Sequence, residues 1–255
     1  MQTQIDRAQA FAALHVKGDP LILFNAWDAG SAAVIAKAGA KAIATGSWSV
    51  AIAHGFGDGE LLPLDLVLGN LARIVSIVEL PVSLDFEGCY AREPSRVGDH
   101  VARALKLGAI GINFEDRMVG ESGIYALSEQ CLRLRAARLA AEELGIPAFI
   151  NARTDLFLQS PEHDGALLDA AIERACAYVQ AGANGFFVPG LVDEILIGRL
   201  CAALEVPVNV MALPSLPSPE RLAQLGVARI SHGPRPYRLA MSALESAALT
   251  AFGAT

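Results

Sequence analysis

Residues 81–116 read PVSLDFEGCYAREPSRVGDHVARALKLGAIGINFED and contain one complete unit of the fold. A short apolar run opens at Pro81 and continues through Phe86, and an amphipathic stretch over 96–107 follows it and ends at Gly108. A second apolar run covers 110–114. This alternation predicts a strand, a helix and a further strand.

The same alternation extends in both directions without a linker or a break in composition. The predicted strands cover residues 21–24, 42–45, 81–86, 110–114, 148–151, 185–188, 208–210 and 228–230. The predicted helices cover residues 31–38, 65–78, 96–107, 129–144, 167–181, 193–204, 219–225 and 237–248, with a glycine-rich loop over 49–62. Eight units of about 30 residues are typical of a TIM-type (β/α)8 barrel, so we predict one α/β barrel domain over 1–255. A doubly wound open sheet fits less well, because no GxGxxG follows the first strand.

Composition excludes several classes of protein. The 255 residues are 53% hydrophobic and 18% charged, which suits a large core and excludes a disordered chain. A net charge of −7 and the lack of any Lys/Arg run argue against nucleic acid or an anionic membrane as partner. No apolar stretch reaches the roughly 18 residues of a membrane span, and residues 1–10 lack a secretory apolar region. Four cysteines without a CxxC pair favour reduced thiols and a cytoplasmic location.

Carboxylates follow two neighbouring strands where each strand ends. Asp85 and Glu87 are two residues apart and share a face, and Glu115 ends the next strand. Each acid alone could cap a helix or pair with a surface arginine. Together, at the carboxyl edge of a parallel barrel, they predict an all-oxygen site for Mg²⁺ or Mn²⁺.

Arg153 lies at the end of the fifth predicted strand, in the stretch Asn151 to Asp155. A guanidinium that faces a metal site can bind a substrate carboxylate through two parallel hydrogen bonds. A structural ion pair with Asp155 is the alternative. We expect a small-molecule carboxylate as the partner of this side chain.

Six ordered motifs together resemble the phosphoenolpyruvate mutase/isocitrate lyase superfamily over essentially the whole chain. They are FNAWDAGS at 24–31, ATGSWS at 44–49, GDGE at 57–60, DFEG at 85–88, GINFED at 111–116 and ARTD at 152–155. The resemblance implies a barrel with bound Mg²⁺. It also implies a homodimer or homotetramer in which the last helix is exchanged between subunits.

The resemblance also implies roles for individual residues. Asp85, Glu87 and Glu115 match metal ligands, and Asp58 matches a group that acts on metal-bound water or on the substrate. The positions that match substrate-holding residues are Gly46, Ser47, Trp48, Arg153 and, more weakly, Asn209. Backbone N–H groups near Gly46 and Ser47 are expected to stabilise a developing oxyanion, which makes Ser47 a candidate catalytic residue.

One segment departs from the family. Its isocitrate-type lyases carry a Lys-Lys-Cys-Gly-His loop after the fourth strand, whereas residues 117–123 read RMVGESG and also lack the Lys and Asn of the mutases. We expect the loop over 117–125 to gate the site without a thiol, and His54, Cys89 and His232 are the substitutes for an acid/base.

The predicted function is that of a Mg²⁺-dependent carbon–carbon lyase or decarboxylase acting on a 2-oxo or 2-hydroxy dicarboxylate of the oxaloacetate or alkylmalate type. The predicted intermediate is a metal-stabilised enolate. A phosphonopyruvate mutase or hydrolase is the second hypothesis. A catalytically silent barrel is the third, and the intact set of acids argues against it.

Overall fold

The structure is a computed structural model, and it describes residues 3–253. Eight strands alternate with helices along the chain, at the positions that the sequence predicts. The strands are β1 (Leu21–Leu23), β2 (Ile43–Ala44), β3 (Val82–Asp85), β4 (Gly111–Glu115), β5 (Phe149–Arg153), β6 (Gly185–Phe187), β7 (Val208–Met211) and β8 (Arg229–Ser231). The predicted TIM-type barrel is confirmed.

Eleven helices surround the strands in the described part of the chain. They are α1 (Gln4–Ala13), α2 (Ala29–Lys37), α3 (Ser47–Ala53), α4 (Leu64–Ile77), α5 (Pro94–Lys106), α6 (Leu127–Glu143), α7 (Leu156–Gln159), α8 (Gly165–Gln180), α9 (Glu194–Ala203), α10 (Pro219–Gln224) and α11 (Arg235–Ala251). The sequence reading missed α1, α3 and α7. The predicted loop over 49–62 is wrong at its start, because the stretch SWSVAIA of α3 contains no Gly or Pro and buries Val50 and Ala51.

All neighbouring strands are parallel, in the order β1-β8-β7-β6-β5-β4-β3-β2. The gap between β1 and β2 is closed by a parallel bridge between Ala26 and Thr45. The Asn25 side chain reinforces this closure, because its amide donates to the Thr45 carbonyl (2.8 Å) and its oxygen accepts from the His232 and Gly233 N–H groups (2.9 and 2.8 Å). Closure brings all eight strand ends to one mouth.

The main core lies between the barrel wall and the helices. A second apolar cluster, which includes Phe11 and Phe149, lies where α1 covers the amino ends of the strands. A capping box between Thr3 and Asp6 starts α1, and the Gln4 amide ties it to the Leu105 carbonyl at 2.7 Å. The opposite, carboxyl end of the barrel carries the polar side chains considered next.

None of the helices within residues 3–253 combines the length and apolar character that crossing a membrane requires.

Candidate active site

Asp85 is the last residue of β3, and hydrogen bonds hold its carboxylate from two sides. One oxygen, Oδ2, accepts a hydrogen bond from the Ser47 N–H at the start of α3 (2.9 Å). The other, Oδ1, accepts one from the Asn113 side-chain amide on β4 (3.3 Å). The Ser47 N–H, predicted to face an oxyanion, therefore orients a candidate metal ligand in this structure.

Glu87 follows β3 in a left-handed backbone conformation, with φ of +50°. Its side chain is buried, and it accepts hydrogen bonds from the Glu60 N–H (2.8 Å) and the Tyr90 hydroxyl (3.3 Å). Burial, followed by the negative charges of Asp58 and Asp85, raises the pKa of Glu87 to about 8. Without a cation, burial and the neighbouring acids therefore favour the protonated form of Glu87 at neutral pH.

Glu115 and Arg153 form a buried ion pair at the ends of β4 and β5, which are in register at these residues (2.8 Å). Asp155 binds the other edge of the guanidinium, at 2.6 Å to Nε and 3.0 Å to Nη2. Burial raises the pKa of Glu115, and Arg153 opposes that rise. The pKa of Arg153 is itself raised, because Glu115 and Asp155 outweigh the effect of burial.

These contacts leave Arg153 only part of its binding capacity. Nε and Nη2 donate to Asp155, Nη1 forms the ion pair with Glu115, and 15% of the side chain stays accessible. The pair with Asp155, which was the alternative role, is present, and the remaining N–H capacity is available for a carboxylate. Asp116 supports this arrangement by accepting the Asp155 N–H (3.0 Å).

Asp58 lies in the exposed loop between α3 and α4. The protein around it withdraws the carboxyl from part of the solvent and, together with the charge of Asp85, raises its pKa. Asp85, Glu87 and Asp58 thus repel one another from two neighbouring loops and one strand end. They form an acidic cluster at the mouth.

Three predicted substrate-binding residues also make contacts outside the acidic cluster. Trp48 packs edge-to-face on Tyr237 (5.9 Å between centroids) and under Arg238 (4.7 Å), so its ring faces α11. Gly46 sits against the Gly233 carbonyl, which a Cβ would meet at 3.4 Å. Asn209 is buried inside the barrel and bonds Ser231 (3.2 Å).

The substitutes for an acid/base are not well placed. Cys89 is fully buried, and burial raises the pKa of its thiol well above the ordinary value. His232 packs on Phe24 (5.1 Å), and the His54 ring bonds the Val50 carbonyl (2.9 Å). In the 117–125 loop, Glu121 forms an exposed ion pair with Arg92 (2.5 Å).

The residues present fit a divalent cation through their chemistry rather than through a finished geometry. Within residues 3–253, no three His, Cys, Asp or Glu side chains converge as a ready metal site. Asp85 and Glu87 are nevertheless oxygen donors whose mutual repulsion a cation would relieve, which suits Mg²⁺ or Mn²⁺. Glu115 is already paired with Arg153, so it is a weaker candidate ligand for the cation.

Comparison with known proteins agrees with this architecture. Residues 11–252 match the profile of the family described as phosphoenolpyruvate phosphomutase. The chain belongs to the phosphoenolpyruvate mutase/isocitrate lyase superfamily. Like other superfamily members it is an enzyme of the lyase and mutase type.

Individual similar proteins cover most of the chain. A solved structure of a proposed phosphonomutase from Burkholderia cenocepacia J2315 is 48% identical, covers 98% of this chain and 100% of its own, and superposes with a TM-score of 0.95. An uncharacterised Mycobacterium tuberculosis protein is 35% identical over 94% of this chain and 87% of its own length. The 2-methylisocitrate lyase of Escherichia coli K12 is 31% identical over 78% of this chain and 68% of its own.

Proposed function

We propose that this enzyme is a Mg²⁺-dependent carbon–carbon lyase or decarboxylase for a small 2-oxo or 2-hydroxy dicarboxylate of the oxaloacetate or alkylmalate type. The observation that carries the proposal is the acidic cluster of Asp58, Asp85 and Glu87 beside the Glu115–Arg153 ion pair. A dicarboxylate substrate held through a metal ion needs a cation-binding site and a carboxylate-binding group at the same mouth of the barrel. Mn²⁺ is an alternative metal for the same oxygen donors.

Asp85 and Glu87 are the residues proposed to hold the metal, with Glu115 as a weaker third. The bound ion would supply the positive charge that stabilises an enolate when the bond beta to a carbonyl breaks. Ser47 contributes by fixing one Asp85 oxygen through its N–H. Asp58, with its raised pKa and open position, is the proposed group that holds or accepts a proton at the mouth.

Arg153 is proposed to bind the substrate carboxylate through the N–H groups that its pairs with Glu115 and Asp155 leave unused. Glu115 and Asp155 hold the guanidinium plane at both edges, so little side-chain entropy is lost when the substrate binds. The substrate would thus be oriented between Arg153 and the acidic cluster.

Phosphonopyruvate mutase or hydrolase chemistry is the second candidate. The matched family description and the 48% identical proposed phosphonomutase favour it. Residues 117–123 carry neither Lys nor Asn, which weakens it. The match to a 2-methylisocitrate lyase favours carbon–carbon cleavage. The intact acids and Arg153 leave the silent barrel without support.

A substrate panel tests the proposal. Purified enzyme with Mg²⁺ is incubated with oxaloacetate, alkylmalates and phosphonopyruvate, and both the consumption of each substrate and the release of pyruvate or another 2-oxo acid are followed with and without a chelator. We expect chelator-sensitive turnover of a dicarboxylate. Turnover of phosphonopyruvate alone would support the second candidate, and a chelator-resistant rate would contradict the metal-dependent mechanism.

We also propose a homodimer or homotetramer in which α11 is exchanged. Leu239 and Leu244 of α11 are 54% and 62% exposed. Ile22 on β1 and Phe24 just after it are 43% and 40% exposed. One chain thus exposes both an apolar helix face and an apolar strand. We propose that α11 of a second copy covers this strand. Light scattering should show an oligomer that the Leu239→Glu/Leu244→Glu variant loses and that Leu132→Glu, on α6, keeps. A monomeric wild type would contradict the exchange.

The four cysteines form no disulfide. This supports the proposal of a cytoplasmic location.

A further inference from the structure

Arg229 is a fully buried arginine on β8, inside the barrel. It pairs in register with Asn209 and Leu21 on the two neighbouring strands. Its Nε donates to Ser231 Oγ (3.2 Å), and its Nη2 donates to Asn113 Oδ1 (3.0 Å). Burial lowers the pKa of Arg229 to about 9, so the side chain remains protonated at neutral pH.

Arg229 and Asn151 together determine which way the Asn113 amide faces, and Arg229 is the charged donor of the two. The Asn113 oxygen accepts from both Arg229 Nη2 and Asn151 Nδ2, each at 3.0 Å. A side-chain amide has one acceptor end and one donor end, so its NH₂ group must face the other way. That group donates to Asp85 Oδ1 at 3.3 Å.

Gly185, the neighbouring residue on β6, makes room for the Asn151 amide, because a Cβ there would lie 2.9 Å from the Asn151 oxygen. The interior of the barrel therefore holds a hydrogen-bonded chain from Arg229 through Asn113 to Asp85. The Ser47 N–H holds the opposite oxygen of the same carboxylate.

A buried arginine is costly unless it is fully paired. Among the described residues, Nη1 of Arg229 has no hydrogen-bond partner. An aliphatic side chain would fill the barrel without that cost. The retained charge is explained by a role at the mouth, where Asp85 is the acid at the end of the hydrogen-bonded chain.

We propose that Arg229 is a positioning residue: through Asn113 it orients the Asp85 carboxylate for a divalent cation. This inference rests on the proposed function, in which Asp85 binds that cation. Groups that orient a metal-binding carboxylate in this way typically affect metal affinity about 10- to 100-fold. We expect a loss in that range when Arg229 is replaced by Met.

The test measures Mg²⁺ affinity by calorimetry, thermal stability, and the metal-free crystal structure of each variant. Arg229→Met should weaken Mg²⁺ binding and let the Asn113 amide turn, whereas Arg229→Lys, which keeps a charged donor, should recover part of the affinity. The matched control is Arg138→Met, because Arg138 bonds the Gly182 carbonyl (3.0 Å) on the outside of the barrel. It should lower stability and leave Mg²⁺ affinity unchanged.

A double-mutant comparison keeps the inference falsifiable if Arg229→Met does not fold. In the Asn113→Leu background the link to Asp85 is absent, so Arg229→Lys should cause no further loss of Mg²⁺ affinity. Additive losses, or a folded Arg229→Met with wild-type affinity and an unturned amide, would overturn the inference. A wild type that binds no Mg²⁺ would instead refute the proposed function.

Discussion

Each end of the barrel buries an ionisable side chain, and the pKa values of the two side chains are shifted in opposite directions. At the amino end His15 stacks on Phe149 (4.1 Å between centroids), meets Phe11 edge-on, and donates from Nδ1 to the Phe11 carbonyl (2.8 Å). Burial, with the charge of Arg229, lowers the pKa of His15 to about 3. At the carboxyl end burial and neighbouring acids raise the pKa of Glu87 to about 8.

The difference distinguishes packing from function. The amino end keeps its histidine neutral at physiological pH and gains aromatic contacts, so it contributes stability. The carboxyl end keeps Asp58, Asp85 and Glu87 close together although their repulsion is unfavourable. A cluster of that kind is retained where it binds something, and here a cation is the ligand that its charge requires.

The largest expected effect is the pH dependence of the free energy of unfolding that Glu87, at the carboxyl end, gives the metal-free protein. The folded pKa of Glu87, about 8, lies above the ordinary value of 4.5, so the unfolded chain releases its proton first. Stability from this group is complete below pH 4.5 and is lost as the pH rises through 8. Between pH 5.5 and 7.5 the loss is about 2 to 3 kcal/mol. Urea unfolding of wild type and Glu87→Gln, without metal, measures it.

The Glu87→Gln profile should be flatter by that amount, because glutamine stays neutral. Asp65→Asn, which removes an exposed surface acid, is the control and should follow the wild type. Parallel profiles for wild type and Glu87→Gln would show that burial and the neighbouring acids do not raise the pKa of Glu87.

The next effect concerns Arg153. Replacement by lysine keeps the charge and removes the planar fork that Glu115, Asp155 and a substrate carboxylate share. Loss of one charge-assisted hydrogen bond is worth about 1.5 to 3 kcal/mol, or roughly tenfold to more than a hundredfold in kcat/KM. Steady-state kinetics on the best substrate decide it, with Arg138→Lys as the control. An Arg153→Lys enzyme with wild-type kinetics would refute the carboxylate-binding role.

The smallest effect belongs to the amino end and has the opposite sign. The folded pKa of His15, about 3, lies below the ordinary value of 6.5, so the unfolded chain takes up a proton first as the pH falls. Stability is lost from pH 6.5 downwards, by about 1.4 kcal/mol between pH 7.5 and 5.5. His15→Phe should not show this loss in urea unfolding. An identical acid dependence in both proteins would place His15 in solvent.

Local pattern predicts the barrel and the residues at its strand ends. Apolar runs and glycine stops locate β3, β4 and β5, and therefore the ends at which Asp85, Glu115 and Arg153 lie. The family resemblance extends this reading to Asp58.

The sequence pattern alone does not predict contacts that depend on barrel closure. Arg229 reads as a charged interruption of a short strand, and its bond to Asn113 joins residues 116 positions apart. The contact of the Trp48 ring with Tyr237 on α11 is another such contact, because it joins segments far apart in the sequence.

The most direct test of the central claim is calorimetric titration of Mg²⁺ into the wild type and a folded Asp85→Ala variant, with Asp65→Ala as the control. Asp85 ends β3 in the acidic cluster, whereas Asp65 forms an exposed ion pair with Arg103. The account predicts that wild type and Asp65→Ala bind Mg²⁺ alike and that Asp85→Ala loses binding while its fold is intact. Unchanged Mg²⁺ affinity in folded Asp85→Ala would contradict it.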